Sequence, residues 1–98
     1  MNGWMMTKLT WGEPACVNRF LSGKDAGRVL GVLRREFGAQ ATNKLLITDR
    51  ISFYGIKIGG QQLIVGVTRF SGMTVTLSEG RDEELLRRIY EVLSRNEV

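Results

Sequence analysis

A chain of 98 residues, 43% hydrophobic and 24% charged with one proline, has the composition of a single folded domain rather than a disordered segment. Its net charge is +4, with one cysteine and no histidine, which removes an intrachain disulfide, Ser-His and Cys-His nucleophilic machinery, and histidine acid–base or metal chemistry. No apolar run approaches the roughly 20 residues of a membrane helix, and the start, MNGWMMTKLTW, lacks the charged head and apolar block of a signal peptide. One cytoplasmic domain over residues 1–98 is expected, frayed at 1–3 and 96–98, with no cofactor, no metal and no membrane partner.

In chain order, Trp4 to Trp11 reads as a strand of bulky and threonine residues, broken by Gly12-Glu13-Pro14. The two tryptophans near the terminus suit cover for a core edge. Cys16 reads as a small buried hydrophobe. Ser22 is placed to cap a helix, with Asp25 three residues on. Ala26, Val29, Leu30, Leu33 and Phe37 follow helical spacing, and Gly38 stops it. The opposite side carries Lys24, Arg28, Gly31 and Arg35, with Arg34 beside them. Gly27 and Gly31 each cost a helix about 1 kcal/mol relative to alanine, so a close backbone approach to the sheet, another subunit or a ligand is expected there. Ser22-Gly23-Lys24-Asp25 is not a phosphate loop. Position 18 is Asn where that motif has glycine, and Asp25 stands where it has Ser or Thr.

From Lys44 the period changes to two. Lys44–Thr48 and Ile51–Ile58 read as strands, and Gly59-Gly60 is a two-residue hairpin signal leading into Gln61–Phe70. That hairpin sets Ile58 opposite Gln61, Ile56 opposite Leu63, Tyr54 opposite Val65 and Ser52 opposite Val67 on one face. The other face pairs Ile51 with Thr68, Phe53 with Gly66, Gly55 with Ile64 and Lys57 with Gln62. The last element, residues 81–96, has its acids first and its arginines later, as the helix dipole favours. It carries i,i+4 pairs Glu83–Arg87, Glu84–Arg88 and Glu91–Arg95, and an apolar stripe of Leu85, Leu86, Ile89, Val92 and Leu93.

The connection near Ser71-Gly72 decides the two faces, because a one-residue slip sends Met73, Val75 and Leu77 to the opposite side. A two-residue turn would put Thr74, Thr76 and Ser78 under the helices. Each hydroxyl left without a partner there costs about 1–3 kcal/mol, and each aliphatic withdrawn forfeits about 1.5–3 kcal/mol. A three-residue connection, Ser71-Gly72-Met73 with Gly72 left-handed, keeps Val75 and Leu77 inside and is the expected arrangement.

The expected fold is therefore α+β. A single antiparallel sheet of about five strands has two helices on one face, in the order β-α-β-β-β-β-α. That order resembles one half of the TATA-binding-protein-like fold, in topology only. The uncovered face would carry Ile51, Phe53, Ile64, Thr68, Phe70, Thr74 and Thr76, a mixture of apolar groups and hydroxyls that suits an interface. Residues 1–78 hold ten Lys/Arg against four Asp/Glu, whereas residues 79–98 hold four against six. The leading expectation is a non-enzymatic module that self-associates, as a homodimer, through the open sheet face. The second is nucleic-acid binding, with Lys24, Arg28, Arg34, Arg35 and Lys57 as anion contacts. No paired acids, nucleophile with a base, or metal cluster stands out, so no catalytic residue is assigned.

Overall fold

The structure, a computed structural model, describes residues 3–9, 12–47, 51–69, 72–78 and 82–96. Its strands are β1 (Trp4–Lys8), β2 (Pro14–Asn18), β3 (Gln40–Ile47), β4 (Ile51–Ile58), β5 (Gln61–Thr68) and β6 (Gly72–Leu77), and its helices are α1 (Ala26–Phe37) and α2 (Glu83–Arg95). The strands form one antiparallel sheet in the order β1-β2-β6-β5-β4-β3. The sheet has six strands, not about five, because the N-terminal segment is a hairpin rather than a single strand. Pro14 is tolerated as the first residue of β2, and Gly12 turns the chain at φ 91°. β2 lies between β1 and β6, and its Ala-Cys-Val run is buried throughout and shows no alternation. Trp11 and Phe70 lie outside the described residues, as do Asp49 and Ser71.

One face of the sheet carries the core. Val65, Val75 and Cys16 form one cross-strand row, with Leu63 and Leu77 in the row below and Val67 and Met73 in the row above. Ala26, Val29 and Leu33 of α1 join this cluster, with Leu85, Leu86, Ile89 and Leu93 of α2, while Trp4 closes it at the end of β1. α2 lies over β1, β2 and β6, and α1 packs beside it. Val32, off the expected stripe, is also buried. Gly38 ends α1 in the left-handed conformation at φ 67°.

The β4–β5 hairpin has the expected register throughout. The β5–β6 connection also has three residues, but they are 69–71, not 71–73: Thr68 pairs with Gly72 and Val67 with Met73. The shift is even, so the faces keep their identity, and Met73 joins the core fully buried. Gly72 opens β6 at φ +75°, and a side chain there would overlap the Asn18 carbonyl and the Arg19 backbone. The glycine thus serves close packing against β2 rather than the middle of the turn.

Three other expectations change. β3 begins at Gln40, not Lys44, and its pairing with β4 is irregular between Ala41 and Lys44 and again between Lys44 and Leu46. Irregular pairing blunts an edge strand. Gly27 and Gly31 face open space, with nothing within 4 Å of a would-be side chain, so they do not serve an approach to the sheet. Among the described residues the i,i+4 pairs of α2 do not close to ion-pair distance. The ion pair found is Arg28–Asp25 at 2.6 Å, and Arg88 stacks over the Phe37 ring, 5.6 Å from its centroid.

Candidate interface on the open sheet face

The face turned away from both helices is set by the same registers. One row runs Met5, Val17, Thr74, Gly66, Phe53, and the next runs Thr7, Ala15, Thr76, Ile64, Gly55. Ile51 and Thr68 pair above them, and Lys57 and Gln62 pair at the opposite rim. Every described member of the expected interface, namely Ile51, Phe53, Ile64, Thr68, Thr74 and Thr76, lies on this one face and is half-buried. Sequence reading missed its β2 members: Ala15 is fully buried and Val17 8% exposed although neither belongs to the helix-covered core. They are flanked on this face by side chains of the adjoining strands, Val17 by Met5 and Thr74 and Ala15 by Thr7 and Thr76. Met5, 46% exposed, is the most open apolar group on the face.

Phe53 shapes the surface. Its ring lies over Gly66, where a Cβ would come within 2.9 Å of the ring and 3.1 Å of the Thr74 hydroxyl. The glycine therefore makes room for the aromatic ring of the neighbouring strand. The rows from Met5 to Phe53 and from Thr7 to Gly55 contain no ionisable side chain, and Lys57 is confined to the rim.

The basic residues are divided. Lys24, Arg28, Arg34 and Arg35 are exposed on and before α1, whereas Lys57 belongs to the open-face rim and does not join them. Two of the four are already engaged: Arg28 with Asp25, and Arg35 through a 3.0 Å bond to the Asn96 side-chain oxygen near the end of α2. The Asp25 carboxylate also accepts the Ser22 backbone N–H at 2.9 Å. That bond, aided by Arg28, holds its carboxyl below the usual range.

Asp82 caps α2 by accepting the Leu85 N–H at 3.1 Å and accepts the Gln61 side-chain amide at 2.8 Å. Gln61 first, then Leu85, holds its carboxyl below the ordinary value, so it is an anion at neutral pH. It lines an open groove of about 340 Å³ with Glu36, Phe37, Gln61 and Arg88. No three of His, Cys, Asp or Glu come together as a metal site among the described residues, and no described helix is long and apolar enough to cross a membrane.

Burial pushes the Cys16 thiol up to about 12 from an ordinary 9.0. A thiol reagent at mildly alkaline pH should therefore label the native chain only as fast as it unfolds. A raised folded-state value favours the neutral thiol, so this contribution is complete below the unfolded value. It is lost between pH 9.0 and about 12, with stability falling by about 1.4 kcal/mol per pH unit. Denaturant titrations of wild type and Cys16→Ala across that window isolate the effect, and equal slopes in the two would contradict it.

Compared with known proteins, the chain matches no protein family, no curated protein and no solved structure.

Proposed function

We propose that this protein is a non-enzymatic assembly module in which two copies pair through their open sheet faces. The observation that carries the reading is a neutral face of half-buried Ile51, Phe53, Ile64 and threonines, left without a covering layer on a chain of charge +4. Like charges oppose self-association, and the uncharged rows from Met5 to Phe53 and from Thr7 to Gly55 are where two identical copies meet without them. A two-fold pairing also sets identical surfaces against each other, which suits rings and methyl-bearing hydroxyls better than ion pairs.

The size is adequate. Six strands of about seven residues, about 4.8 Å apart and rising about 3.3 Å per residue, give a flat footprint on the order of 600 Å². Allowing for side-chain relief, that approaches the roughly 800 Å² per partner of a standard interface. The threonine hydroxyls can bond one another or bridging water, as interface rims commonly do.

Solvent paramagnetic relaxation of methyl signals tests the location of the contact. With a soluble paramagnetic agent, the Met5, Thr68, Thr74 and Thr76 methyls of the wild type should be protected, and the same signals should broaden in Phe53→Asp. Equal broadening in the two proteins would remove the open face as the contact.

A further inference from the structure

A different part of the molecule carries a second surface. Phe20, between β2 and α1, is 84% exposed, the most exposed large apolar side chain among the described residues. Its main chain is anchored. Its backbone N–H donates to Asn18 Oδ1 at 3.0 Å, and Asn18 is itself only 3% exposed. The ring edge rests against Gly3, where a Cβ would lie 2.8 Å from Phe20 Cδ2 and the same distance from Asn18 Oδ1. A buried amide and a glycine backbone therefore hold an aromatic ring out in water.

Three exposed cations neighbour it along the chain or across the strand register. Arg19 is the adjacent residue, and its backbone packs against Gly72. Gly72 pairs with Thr68, so Arg69 leaves the sheet at the same end. Lys24 follows four residues after Phe20, in the turn that enters α1. All three are exposed. Asp25, the nearby acid, is engaged by Arg28, and among the described residues no carboxylate pairs with Arg19, Lys24 or Arg69.

We propose that Phe20, with Arg19, Lys24 and Arg69, forms a contact for single-stranded nucleic acid. The ring stacks on a base, and the cations neutralise the flanking phosphates. The combination selects the ligand. An acidic peptide matches the charge but offers no planar face for the ring, and a duplex keeps its base faces stacked inside. A single strand presents both features, and stacking on phenylalanine, which donates no hydrogen bond, is tolerant of sequence. Because the main chain at Phe20 is already fixed by the Asn18 side chain, little backbone ordering entropy is lost on binding. The contact is independent of the pairing of open faces.

Fluorescence polarisation of the full chain with a labelled oligothymidylate, an oligouridylate and a DNA duplex, each about 15 nucleotides long, tests the assignment. Three neutralised phosphates predict about a 20-fold loss of single-strand affinity between about 50 and about 200 mM salt. Phe20→Ala should weaken binding about tenfold at both salts, with the salt slope and melting temperature unchanged, and Phe20→Trp should restore it. The double variant Arg19→Ala/Arg69→Ala should shrink the salt effect to about threefold. Failure of the wild type to bind at the lower salt overturns the proposal, as does duplex binding equal to single-strand binding. So does unchanged affinity in Phe20→Ala, or a fall in that variant's sedimenting mass, which would assign the ring to a protein contact.

Discussion

Phe53→Asp is expected to yield a chain that folds and sediments as one copy. The ring is half-buried on the open face, so the subunit loses about 1 kcal/mol of cross-strand packing against Gly66 and Thr74. The assembly loses far more. A two-fold pair contains the ring twice, and removing an aromatic anchor costs about 2 kcal/mol or more per copy. The new carboxylate must also be desolvated, and among the described residues the surrounding rows offer it no cation. A loss of about 4 kcal/mol corresponds to about a thousandfold in affinity. Sedimentation checks the mass and circular dichroism checks the fold. A folded variant that keeps the wild-type assembly state would show that the Phe53 face is not the contact.

Gly72→Ala is expected to cost far more stability than the addition of one methyl usually does. The residue sits at φ +75°, a region that costs a side chain about 1–3 kcal/mol. The new methyl would also overlap the Asn18 carbonyl and the Arg19 backbone, and backbone cannot yield as a flexible side chain does. Overpacking adds about 1–3 kcal/mol. The sum, about 4 kcal/mol, is a large part of the 5–15 kcal/mol by which a typical domain is stable. The damage should reach beyond the turn, because Gly72 begins the strand that carries Met73, Val75 and Leu77 into the core. Chemical denaturation measures the change, and a loss under about 1 kcal/mol would mean that β6 and β2 are not so closely apposed.

These two residues also show how far the sequence could be read. Alternation of Met73, Val75 and Leu77 with Thr74 and Thr76 settled which side of β6 faces the helices, because slipping the strand by one residue exchanges aliphatics for hydroxyls. It did not settle where the turn lies. Gly72 resembles a turn glycine locally, yet the requirement for it comes from Asn18 and Arg19 at the end of β2, more than fifty positions away. β2 escaped notice for a related reason. A strand whose side chains are buried in both directions carries a continuous apolar run, and Pro14 at its head reads as a breaker.

Surface chemistry was legible only in part. The Lys24, Arg28 and Arg35 spacing correctly indicated an exposed side of α1, and the Arg28–Asp25 pair is the local i,i+3 kind. The bond from Arg35 to Asn96 joins residues 61 apart and has no local signature. Phe20 reads in sequence as one more apolar residue ahead of a helix. Its exposure depends on Asn18 and Gly3, which meet it only after β1 and β2 have paired.

The mass of the wild-type chain at tens of micromolar, by sedimentation equilibrium at low and high salt, bears most directly on the pairing of open faces. An uncharged apolar contact should persist as salt rises, so the expected mass is twice that of the 11.0 kDa chain under both conditions. A mass of 11.0 kDa throughout, or a pair that dissociates as salt is added, would contradict it.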